Sequence, residues 1–112
     1  MIIEATVRNY LMGILTEPVY IETPANPPAS YVAIDRTGGS ESETLRSARI
    51  LLDSYGSSRL EAAKLHEKVL AAMAQISSLD CIGGYDLNEE QYNPDLETDR
   101  PRYQLYCDII YY

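Results

Sequence analysis

The chain has 112 residues, 46% of them apolar and 23% charged, with a formal net charge of −8. That length allows one domain around a single core, the composition is globular and not disordered, and no apolar run approaches the roughly 20 residues that span a bilayer. Seventeen acids against nine bases exclude the basic footprint that a grip on nucleic acid requires.

The N-terminus places Glu4 early and has no basic start before an apolar block. It does not read as a secretory signal, and a soluble protein that stays where it is made is expected. Ile3, Val7, Tyr10, Leu11 and Ile14 then recur at helical spacing, which predicts a helix ended by Thr16-Glu17-Pro18. From Val19 to Thr23 the period drops to two, with Val19 and Ile21 inward and Tyr20 and Glu22 outward, as in a short half-buried strand. Pro24 to Pro28 reads as a stiff connection.

A second strand is predicted from Tyr31 to Thr37, and a third from Leu45 to Tyr55 with Ala48, Ile50 and Leu52 on one face. Between them Gly38-Gly39-Ser40 and the acids Glu41 and Glu43 read as the flexible tip of a hairpin. The second helix opens on Ser58 with Glu61 three residues later, the spacing of a capping box. Its stripe is Ala62, Leu65, Val69, Ala72, Met73 and Ile76. A weaker apolar side runs through Leu60, Ala63, Leu70 and Ala74, so this helix is either sandwiched within the domain or offers one side to a partner.

Leu79 to Tyr85 reads as a fourth strand, Asn88 to Pro101 as an acidic loop, and Tyr103 to Tyr112 as a last strand. Tyr103, Leu105, Cys107, Ile109 and Tyr111 share one face of the last strand, and Tyr106 and Ile110 add apolar surface to the other. The order α-β-β-β-α-β-β predicts an α+β domain, residues 1–112, with two helices on a mostly antiparallel sheet.

Residues 69–99 hold seven acids and no Lys or Arg, so one stretch carries nearly all the charge imbalance. Solvated acidic surface is the plain explanation. Ten tyrosines with no Phe or Trp suit half-buried surfaces, whether interfaces or core margins. Cys81 and Cys107 form no CxxC motif and are expected to be reduced, buried thiols, although a bridge between them stays open.

Chemistry-bearing patterns are sparse. The single histidine, His66, borders the apolar stripe of the second helix and reads as a packing residue. Thr37-Gly38-Gly39-Ser40 lacks the lysine and spacing of a phosphate loop and leads into acids that would repel phosphate. The acids between Asp86 and Asp99 lack calcium-loop spacing. No catalysis, cofactor or metal is expected.

Several short blocks, in order, resemble a known family. They are Pro18-Val19-Tyr20, Pro27-Pro28 with Tyr31-Val32, Arg36-Thr37-Gly38-Gly39, Tyr55-Gly56-Ser57-Ser58-Arg59 with Glu61-Ala62, and Tyr92-Asn93 followed by Thr98, Arg100 and Arg102-Tyr103-Gln104. The chain is similar in these to minor tail proteins of long-tailed bacteriophages, in the tail terminator or tail-completion group of the head–tail neck. The resemblance implies a non-catalytic α+β subunit of phage or prophage, assembled in the host cytoplasm into a homohexameric ring. Such a ring caps the tail tube, meets the tail tube protein and the head–tail connector, and lets DNA pass without binding it. The interface residues expected on this reading are Gly38, Gly39, Ser40, Leu60, Ala63, Leu70 and Ala74.

Two other classes remain. An acidic cytoplasmic module that inhibits a nucleic-acid-binding enzyme by mimicking DNA would be monomeric and compete with DNA. A small enzyme would need a pocket converging on His66 or on the acidic loop.

Overall fold

Ile3, Val7 and Leu11 recur once per turn and are all buried, forming the inner stripe of α1 (Ile3–Met12) in a computed structural model that describes all 112 residues. The helix ends a turn earlier than the proline suggests, at Gly13, a poor helix former. Ile14 is consequently 53% exposed, and Leu15 takes the buried position.

The five strands are β1 (Val19–Tyr20), β2 (Tyr31–Glu41), β3 (Arg46–Tyr55), β4 (Ile82–Tyr92) and β5 (Arg102–Tyr111), laid side by side as β1-β2-β3-β5-β4. Helix α2 (Arg59–Met73) connects β3 to β4 and is followed by a 3-10 turn, Ile76–Ser78. The α+β order α-β-β-β-α-β-β is therefore as predicted. The sheet is mixed, however, because β1 runs parallel to β2 while every other pair is antiparallel. The first strand is also shorter than its alternation suggests. The chain leaves the sheet after Tyr20, and Ile21 is exposed.

Two further expectations are corrected. Gly38, Gly39 and Ser40 are not a flexible tip but part of β2, which passes a bulge at Thr37 and stays paired with β3 to Glu41. The Ser40 and Ser47 hydroxyls meet at 2.9 Å and Arg46 lies 3.7 Å from Glu41, so side chains reinforce the ladder there. The true turn is Ser42–Leu45, where the Ser42 N–H donates to the Leu45 carbonyl at 2.8 Å. Similarly, Asn88 to Tyr92 are not loop but the second half of β4, whose own bulge falls between Leu87 and Glu89. Only residues 93–101 are loop.

Helix α2 begins where the sequence places it. Ser58 Oγ accepts from the Glu61 N–H at 3.1 Å, while the Glu61 carboxylate takes Lys64 instead of closing the box. Gly56 lets the chain turn from β3 into this helix, since a Cβ there would collide with the backbone of Glu61 and Ala62. Ala62, Leu65, Val69, Ala72 and Met73, with Ile76 beyond, are all buried.

Both helices lie on one face of the sheet and pack on Val32, Ile34, Ala48, Ile50, Leu52, Leu105, Cys107 and Ile109. Polar ties fix their placement. Arg8 donates to the Val19 carbonyl at 3.0 Å, the Tyr10 hydroxyl to the Ala72 carbonyl at 2.7 Å, and Lys68 to Glu17 at 3.1 Å. The thiols of Cys81 and Cys107 are not joined; burial pushes that of Cys107 up to about 12. No helix is long and apolar enough to cross a membrane.

Candidate functional site

The residues expected at an interface divide between the two layers. Gly38 and Gly39 edge a groove of about 410 Å³ on the sheet face opposite the helices, with Ser47, Arg49, Asp86, Asp108 and Ile110. Gly39 leaves no room for a side chain, because a Cβ would come within 2.5 Å of the Ser47 carbonyl oxygen, which the β2–β3 ladder holds in place. Leu60, Ala63, Leu70 and Ala74 belong to α2 on the other layer and do not behave alike. Leu60 is 64% exposed and Ala74 is exposed, whereas Ala63 is half-buried and Leu70 packs against the core. Leu70 thus serves the subunit's own packing.

No helix covers the second face of the sheet. Strand register sets its side chains in rows, because residues paired across neighbouring strands point to the same side. One row is Asp35, Leu51, Tyr106 and Glu89, with apolar side chains in the middle strands and an acid on each flank. The next has Arg49, Asp108 and Asp86, followed by Ser47, Ile110 and Gly84. Arg49 and Asp108 pair at 3.3 Å, and Asn88 donates to the other Asp108 oxygen at 3.0 Å. Asp35, Asp86 and Glu89 have no cationic partner within reach. A second groove, of about 460 Å³, lies between Thr37, Arg49, Asn88, Glu89 and Tyr106 and shares Thr37 and Arg49 with the first. Tyr106 and Ile110 are visible in the sequence as a second apolar side of the last strand. Leu51 is not, because it sits in an apolar run where alternation is masked.

The other end of this face is closed. Tyr31 and Tyr55 stack at 4.4 Å with Tyr20 against Tyr31, and the 93–101 loop folds over them. Tyr55 donates to Asp95 at 3.3 Å, and Arg100 holds the Pro27 and Pro28 carbonyls. Burial raises the Tyr31 hydroxyl to about 12. Burial would raise Asp95 too, but the Glu97 and Thr98 N–H groups hold its carboxyl below the ordinary range. Next to this cluster, Gln104 links Asp53, Gln91 and Asn93. Several tyrosines therefore knit the fold itself together.

His66 is 2% exposed on the helix side of the sheet, stacked on Tyr103 at 5.1 Å. Its Nε2 donates to Glu90 Oε1 at 2.9 Å, since a carboxylate only accepts, and its Nδ1 has no partner. This pins the edge strand β4 to α2, a partnership 24 residues apart that no local pattern reveals. The acidic run is dispersed: Asp86 and Glu89 face the open side of the sheet, Glu90 faces His66, and Asp95 belongs to the tyrosine cluster. No three His, Cys, Asp or Glu side chains gather where a metal ion would fit.

No family model matches the chain, and no curated protein matches it. Among solved structures, it is similar to a chain from the virion of a native gene transfer agent (GTA) particle. The two are 15% identical, the match covers 96% of this chain and 84% of that one, and the TM-score is 0.49.

Proposed function

We propose that this chain is a non-catalytic structural protein of a phage-type virion, working as an oligomeric ring that caps the tail tube and joins it to the head connector. The ordered blocks from Pro18 to Gln104 that resemble the tail terminator and tail-completion group suggest the class. The observation that carries the reading is an open sheet with unpaired edges on both sides. One edge is β4 along Ile82–Tyr92, and the other is β2 beyond the two residues covered by β1. Head-to-tail rings need two different surfaces on one subunit, and opposite edges of a sheet, with the exposed end of α2 at Leu60, supply them. Net charge −8 suits a passage through which DNA slides, since acidic walls do not hold phosphates.

Light scattering across a concentration series tests this. The expected result is a species of about six subunit masses. A monomer at every concentration, and with tail tube protein present, overturns it. A monomer that competes with DNA for a nucleic-acid-binding enzyme instead makes the chain a DNA mimic.

A further inference from the structure

We infer that the open face of the sheet is a docking surface for a basic amphipathic segment of another protein. Leu51, Tyr106 and Ile110 are half-buried on the face that carries no helix; Ile110 and Tyr106 each line one of the grooves, and Leu51 lies between Asp35 and Tyr106. Gly38 and Gly84 stand in the rows of this face and contribute no side chains, which leaves the two adjoining grooves open down to the sheet. Leu51 and Tyr106 on one side of the Arg49–Asp108 pair and Ile110 on the other are apolar spots that gain by being covered, at roughly 25 cal/mol per Å².

Charge selects the occupant. The one cation in the grooves, Arg49, is already engaged by Asp108. Asp35 on one flank and Asp86 and Glu89 on the other are left without a cation. A segment fits when its apolar residues cover Leu51, Tyr106 and Ile110 and its Lys or Arg side chains reach outward to both flanks. A second copy of this acidic chain would set like charges against one another, and a nucleic acid would do the same. The inference does not depend on the ring, because every residue in it belongs to a single subunit.

The probe is a fluorescent peptide of alternating Leu and Lys, titrated at low and physiological salt. Saturable one-to-one binding is expected. Asp35→Asn with Glu89→Gln should weaken it about tenfold, as two lost charge pairs imply. A matched double variant away from the face, Glu43→Gln with Asp80→Asn, should change affinity less than about twofold. Leu51→Ser with Ile110→Ser tests the apolar contacts and should also weaken binding, with circular dichroism checking that the variant stays folded. Equal weakening by both charge variants means diffuse attraction and overturns the inference. So does an unchanged affinity in the folded Leu51 and Ile110 variant, absence of binding, or displacement of the peptide by duplex DNA. A failed ring with intact peptide binding would leave this surface standing, and the reverse would leave the ring.

Discussion

Asp53 shows how the uncovered face differs from simple solvent. It lies mid-sheet beside Gln104, whose amide donates to it at 3.0 Å. Burial raises its carboxyl above the ordinary value, and the Gln104 bond only partly offsets that. A raised carboxylate contributes stability that is complete below the unfolded value, near 3.8, and is lost as pH rises through the folded one. The ionised form is therefore a burden at neutral pH. Asp53→Asn keeps an oxygen for Gln104 and removes the charge. Its thermal midpoint should equal or exceed that of the parent at neutral pH, and the advantage should shrink on acidification past 3.8. An advantage that grows with acidity would contradict the burial argument. On the helix side of the molecule the sign reverses. Glu17 is partly buried, yet its bond from Lys68 holds it below the ordinary range, so this tie from the α1–β1 connection to α2 weakens as pH falls.

Among the elements, α2 depends most on local chemistry. Ser58 satisfies one N–H of the first turn, and Gly56 permits the close approach that starts the helix. Ser58→Ala should cost about 1 kcal/mol in urea unfolding. Gly56→Ala should cost more, about 2 kcal/mol, because the added methyl meets backbone that cannot step aside. A Gly56→Ala variant as stable as the parent would show that the helix start can shift. β4 is the opposite case. Its second half reads as loop because Asn88 to Gln91 are polar and acidic, yet pairing with β5 and the His66 tie hold it extended. Edge strands carry such charges routinely, since these discourage pairing with stray chains.

For the whole molecule, the question is which apolar surface the subunit keeps for itself. Leu70 packs on the core and Leu60 does not, so substituting each by Glu separates folding from assembly. Leu70→Glu should lower stability by about 2 kcal/mol or more, whatever the oligomeric state. Leu60→Glu should stay within about 0.5 kcal/mol of the parent as a monomer and weaken the proposed ring. Unfolding by the Leu60 variant would place that residue in the core, and undiminished assembly would move the interface to the sheet edges alone.

Much of the architecture is written locally. The inner stripe of each helix, the alternation of β3 and β5, the cap at Ser58 and the α+β order all follow from patterns within a few residues, because burial of a stripe or a face is itself periodic. Position in the sheet is not local. Whether Gly38–Ser40 pairs or frays, whether Asn88–Tyr92 is strand or loop, and which side of α2 remains bare depend on neighbours dozens of residues away. The sheet's two faces show the difference most clearly. The alternation of β3 and β5 was legible for their inner residues and for Tyr106 and Ile110, but which face receives the helices, and which leaves Leu51, Tyr106 and Ile110 uncovered beside unpaired acids, was decided only when the register of all five strands was set.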